Sequence, residues 1–204
     1  IIAHSMGNRY LMSALEAFFR EHPDRRIGQL VLAAPDVDRN ALRAQFANLE
    51  ANSDGVTLYA SKNDVALKVS HKANGGRRAG DANGDLMRIE GLDTIDASLI
   101  EADSLGHSYF GDAPELLGDI LGVVRLGWRP PERCGVIKRE DGGEGDIWDV
   151  SPTGCPVQQI RAAGDLARLF GMQATEEARR RMDADDRAQQ EFWIDVMNLI
   201  DARF

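Results

Sequence analysis

The sequence predicts an α/β fold, a parallel sheet with helices on both faces, followed by a helical C-terminal tail. Three observations predict it. Almost unbroken apolar runs recur about 25 to 30 residues apart, as strands buried on both faces require. Between them lie stretches whose apolar residues repeat at helical spacing, and turn residues mark the junctions. At 204 residues, 43% hydrophobic and 28% charged, the chain is long enough for one core plus an appendage.

Ile1–Ile2–Ala3 reads as a short buried strand. After "HSMGN", the residues Tyr10, Leu11, Ala14, Leu15, Phe18 and Phe19 fall at spacings of three and four, which predicts an amphipathic helix. Pro23 ends it, because the residue before a proline is pushed out of helical geometry. "IGQLVLAAPDVD" is then a buried strand running into a Pro-Asp turn, "ALRAQFANLEA" (41–51) a helix and "GVTLYAS" (55–61) a second buried strand. "DVALKVSHKAN" (64–74) reads as a helix closed by Gly75 and Gly76, and "RRAGDANGD" (77–85) as a loop. "LMRIEGLDTIDAS" holds one or two short strands, and "APELLGDILGVVRLG" (113–127) is the last helix of the domain. The expected organisation is a domain over 1–133, a connector over 134–157 with a short hairpin at "GVIKR" and "DIWDV", and a helical tail over 158–204. In the tail a short helix near 158–170 precedes one long helix from about Thr175 to Ala202. Ala178, Met182, Ala188, Phe192, Val196, Met197 and Ile200 lie on one side of it, and the stripe of Phe192, Val196, Met197 and Ile200 is expected to pack on the domain or on a second copy of the chain.

Composition removes several partner classes. A net charge of −9 without a basic stripe repels phosphate backbones, so no nucleic acid partner is expected. No apolar run reaches the roughly 18 to 20 residues of a membrane span, and no basic segment followed by an apolar one opens the chain. Cys134 and Cys155 have neither metal-type nor Cys-x-x-Cys spacing, so no metal site is expected; two idle thiols are favoured over a disulfide.

The chemistry begins at "AHSMG". A small residue, any residue, Ser, any residue and Gly, set between a strand and a helix, is the pattern of a turn that lifts a nucleophilic serine to the carboxyl end of a sheet. In that turn the positions two before and two after the serine are expected to crowd, and Ala3 and Gly7 suit them. The plainer alternative is that Ser5 caps the helix. A nucleophilic serine needs a base and an acid, in chain order Ser, acid, His, each after a later strand. Asp64, directly after "VTLYAS", is the preferred acid; it would also serve as a helix cap, and Asp36 in "AAPDVD" is the alternative acid. His107, in the Gly-flanked "DSLGHSYFG", is the preferred base over His4, His22 and His71.

Taken together, "IAHSMGNR", "LAAPDVD", "LYASKNDVALKVS", "NGGRRAGD", "GLDTIDAS" and "GHSYFGD" resemble the α/β-hydrolase superfamily, in a bacterial branch described only as a domain of unknown function. The resemblance spans about 1–133. It implies Ser5 as nucleophile, Asp64 as acid, His107 as base and the Met6 N–H as one oxyanion donor. It also implies that Ile1 begins the nucleophile strand, so the chain is expected to be the C-terminal part of a longer protein whose upstream strands supply the second oxyanion donor. The function expected is a carboxylesterase-type serine hydrolase acting on a small-molecule ester through an acyl-enzyme, with no cofactor. The alternative is a non-catalytic protein of this fold that binds a partner, or self-associates, through its C-terminal helix.

Overall fold

The structure is a computed structural model that describes residues 1–100, 107, 111, 113–130, 133–140, 145–151, 155, 157–184 and 187–201. Among the described residues six strands form one sheet, in the spatial order β1 (Ile2–His4), β2 (Ile27–Ala33), β3 (Ser53–Ala60), β4 (Leu92–Asp96), β6 (Ile147–Val150) and β5 (Val136–Lys138). All neighbours run parallel except β5, which pairs antiparallel with β6. One ladder row crosses the sheet through Ala3, Leu32, Leu58, Thr94 and Ile147.

Strand side chains alternate between two apolar layers, which is why β2 and β3 read as continuous hydrophobic runs. Leu30, Leu32, Val56 and Leu58 face the layer formed by Met12, Leu15 and Phe19 of α1 (Gly7–Glu21) and by Leu42, Phe46 and Leu49 of α2 (Arg39–Ala51). Val31, Tyr59 and Ile95 face the opposite layer, with Leu67 of α3 (Val65–Asn74) and Leu116, Ile120 and Val123 of α4 (Pro114–Leu126). Caps set the helix boundaries. The Asp38 carboxylate accepts from Asn40 N (2.9 Å) and Ala41 N (3.2 Å), so α2 starts two residues before the predicted Ala41. Gly127, at φ 72°, ends α4 in the left-handed conformation that glycine adopts without penalty.

After α3 the chain folds back over the carboxyl ends of β2 and β3. Ala79 N bonds Val37 O (2.8 Å), Gly80 N bonds Pro35 O (3.1 Å) and Ser61 N bonds Gly80 O (3.1 Å). Backbones meet here at contact distance. A Cβ at position 80 would lie 2.7 Å from Ala34 C and Pro35 N, so only glycine fits.

The tail departs from expectation. In place of one long helix there are two, α6 (Ala174–Ala184) and α7 (Arg187–Asp201), following α5 (Val157–Phe170) and a short 3₁₀ turn at Gly171–Gln173. α6 and α7 lie back to back, with Thr175 Oγ1 donating to Asp201 Oδ1 at 2.7 Å, so the start of one meets the end of the other. The reversal lets both apolar stripes share one core. Ala178, Val196 and Ile200 are fully buried with Ile160 and Ala163 of α5, against Leu126 and Trp128 at the end of α4.

The cysteines also depart from expectation: Cys134 and Cys155 form a disulfide, with Cα atoms 5.5 Å apart. The cause is the β5–β6 pairing, which sets Val136 opposite Val150, continues through Ser151 N to Gly135 O (2.8 Å), and so brings the flanking segments together. The bridge spans 21 residues of sequence and should stabilise the chain by about 3 kcal/mol, mostly by restricting the unfolded state. Urea unfolding with and without reductant should show that loss on reduction, and Cys134→Ala should show it without reductant. Equal stability in all three cases would mean that the two thiols are idle.

Candidate active site

Ser5 lies between the carboxyl end of β1 and the start of α1, with a backbone φ of 52°. A non-glycine residue in this region costs about 1–3 kcal/mol and persists only where its surroundings over-determine it. Here they do. Ser5 N donates to Ala33 O (3.0 Å), and Ser5 O accepts from Asn8 N (3.1 Å) and Asp36 N (3.2 Å). The fully buried Asn8 side chain adds Nδ2 contacts to Ser5 O (3.0 Å), Ala3 O (3.2 Å) and Ala33 O (3.4 Å). Asn8 thus fastens the turn to β1 and β2, a role the sequence reading missed. Its signal was a polar residue on the inner side of an amphipathic helix.

The expected crowding at Gly7 is not found, since a Cβ added there meets nothing within 4 Å among the described residues. The left-handed serine, rather than the small residue after it, defines this turn. Met6 sits at the head of α1, half exposed. Among the described residues its N–H has no hydrogen-bond partner, as one of the unsatisfied donors that open any helix.

Asp64 follows the carboxyl end of β3 and is fully buried. Its Oδ1 accepts from Leu67 N at 2.9 Å and caps α3, while its Oδ2 meets His107 Nδ1 at 2.8 Å. Burial raises the Asp64 carboxyl above its ordinary value, against the Leu67 and His107 hydrogen bonds, which lower it. Of the predicted loop "DSLGHSYFG", only His107 and Gly111 are among the described residues.

His4 closes the group from the other side. Its ring lies 4.7 Å from the His107 ring, and its Nε2 donates to the His107 carbonyl at 3.1 Å. Burial lowers the His4 pKa, which favours the neutral ring that this geometry uses. Asp64 therefore fixes the His107 imidazole and His4 fixes its backbone, while His4 is the residue next to Ser5.

Asp36, the alternative acid, is engaged elsewhere. Its carboxylate accepts from Ser70 Oγ (2.6 Å) and Arg9 Nη2 (2.9 Å), and it forms an ion pair with Arg78, whose Nε lies 3.5 Å from Oδ1. It forms part of a cleft of about 390 Å³ that Ser5, Met6, Arg9, Val69 and Ser70 also line. A larger cleft of about 740 Å³, lined by Arg43, Arg88, Asp93, Arg129 and Trp148, opens at the amino end of β4, away from Ser5. In open parallel sheets ligands bind at the carboxyl ends of the strands, so the smaller cleft is the relevant one. Among the described residues no group of three His, Cys, Asp or Glu side chains is placed to hold a metal, and no helix is long and apolar enough to cross a membrane.

Comparison with known families agrees with this geometry at the level of the fold. The family model described as alpha/beta hydrolase of unknown function (DUF900) matches residues 1–125, and the chain belongs to that family. No curated protein and no solved structure matches it. β5, β6 and the three tail helices follow the matched region.

Proposed function

We propose that the chain carries a serine hydrolase of carboxylesterase type, with Ser5 as nucleophile, His107 as base and Asp64 as the orienting acid. One arrangement supports this above all: a serine held at φ 52° at the carboxyl end of the sheet that also carries the fully buried Asp64, whose Oδ2 lies 2.8 Å from Nδ1 of the partly exposed His107. Neither helix capping nor packing calls for that combination. Asp64 holds the proton on His107 Nδ1, which leaves Nε2 with a lone pair to take the proton of Ser5 Oγ. Ser5 then attacks the carbonyl of a small-molecule ester, and the oxygen that becomes negative is received by the open Met6 N–H. The alcohol leaves with the proton from His107, an acyl-enzyme remains, and water attacks it by the same proton relay in reverse. This sequence uses no metal or organic cofactor.

A partner-binding role for the tail finds less support, because the stripe it would use turns inward, with Val196 and Ile200 fully buried. A fluorophosphonate probe tests the assignment directly, since only an activated serine reacts with it at neutral pH. In the full-length protein Ser5 should be labelled, and Ser5→Ala should lose the label. Equal labelling of the two proteins would reject Ser5 as the nucleophile.

A further inference from the structure

Arg9 is one turn along α1 from Ser5 and lines the same cleft. Its guanidinium is clamped on one edge: Nε donates to Asp36 O at 2.6 Å, and Nη2 donates to Asp36 Oδ2 at 2.9 Å and to Ser70 Oγ at 3.4 Å. These bonds fix the plane of the group. Among the described residues Nη1 makes no hydrogen bond, and the side chain is 36% exposed. The local charge is also unbalanced, because the Asp36 carboxylate is shared with the nearly buried Arg78, giving two guanidiniums to one carboxylate. A brace between α1 and the turn after β2 needs only Nε and Nη2. The remaining edge is a fixed cationic donor at a cleft whose other wall, with Met6, Ala66 and Val69, is largely apolar.

We propose that Arg9 is an anion-binding subsite of this cleft, and that the preferred esters carry a carboxylate a few methylenes from the reacting carbonyl. Guanidinium is suited to carboxylate because its planar donors match the carboxylate oxygens, and a clamped guanidinium loses little further freedom on binding. The apolar wall accommodates the intervening methylenes. In a chain of net charge −9, the local excess of positive charge also distinguishes this cleft from the surrounding surface for an incoming anion. The substrate class rests on the serine-hydrolase reading above; the anion site itself does not.

The test compares mono-4-nitrophenyl adipate with 4-nitrophenyl hexanoate, which match in length and differ by the terminal carboxylate. Wild type should favour the adipate ester about tenfold or more in kcat/KM, as a charge-assisted hydrogen bond supplies. In Arg9→Met that ratio should fall to near one, mainly through KM, and Arg9→Lys, which keeps the charge and a donor for Asp36, should retain part of it. Calorimetric titration of adipate into each protein reads the same site without turnover, with binding expected in wild type and lost in Arg9→Met. Turnover of both esters with no Arg9-dependent preference, or adipate binding equally to wild type and Arg9→Met, would overturn the anion site and leave the hydrolase reading standing. Arg9-dependent adipate binding with neither ester hydrolysed would do the reverse.

Discussion

Asp64→Asn should lower ester turnover by about four orders of magnitude while leaving the protein as stable as wild type or slightly more so. The amide oxygen can still accept from Leu67 N and cap α3, because Asn is as good a cap as Asp. The change falls on the other side. An NH₂ group now faces His107 Nδ1, which must accept instead of donate, so the proton moves to Nε2 and the base can no longer take one from Ser5. The stability sign follows from the charge. Burial raises the Asp64 carboxyl above its ordinary 3.8, so the folded chain binds that proton more tightly than the unfolded one. That contribution is complete below 3.8 and is lost as pH rises through the folded value, so ionised Asp64 is held at a cost at neutral pH. A neutral amide removes the cost.

Asp36→Asn should give the opposite signature. It withdraws the negative charge from Arg9 and the nearly buried Arg78, so stability falls, while turnover falls much less than in Asp64→Asn. Rates on 4-nitrophenyl hexanoate with thermal unfolding of both variants separate the two acids. A larger rate loss in Asp36→Asn would move the catalytic acid to Asp36.

The parts of this chain legible in the sequence are those where one residue type has one physical reason. β2 and β3 could be read because both faces of each are buried, and Ser5 because a serine between a strand and a helix stands out without any tertiary information. Asp64 could be read in two ways, as a helix cap or as a catalytic acid, and its two oxygens meet Leu67 N and His107 Nδ1. What could not be read depended on distant partners. His4 meets His107 across 103 positions, and no local pattern announces that contact. The break between α6 and α7 was hidden because one straight helix and two antiparallel ones need the same apolar spacing. The disulfide was readable in principle, since the predicted hairpin places its two flanks side by side, but cysteine spacing alone does not carry that register.

The charged residues inside α4 and just before the connector were the least legible, and they hold the second large effect. Asp119 looks like an interruption in an apolar helix, yet it is fully buried, and so is the Arg133 side chain. Arg133 Nε donates to Asp119 Oδ1 at 3.0 Å, its Nη2 reaches Asp119 Oδ2 and Tyr59 Oη, and its Nη1 donates to Thr57 Oγ1 at 3.3 Å. Tyr59 Oη in turn donates to Asp119 Oδ2 at 2.7 Å, and burial holds this hydroxyl well above its ordinary pKa, so it remains a neutral donor. The network joins β3 to α4 beneath the sheet, and Gly135 is part of the fit, because a Cβ there would lie 2.4 Å from Asp119 Cβ. Arg133→Met should therefore cost about 3–5 kcal/mol, since it leaves a buried carboxylate with one hydroxyl donor and no cation. That is a large share of the roughly 5–15 kcal/mol that holds a typical domain together. Most of the loss reflects the stranded charge rather than the net value of the pair. Adding Asp119→Leu and Tyr59→Phe to Arg133→Met should accordingly recover most of it, because no buried ion or hydroxyl of that trio is then left unpaired. Urea unfolding of the single and triple variants separates the two accounts. If the triple variant is as unstable as the sum of its three single changes, the network is a net source of stability rather than a set of charges that must be kept together.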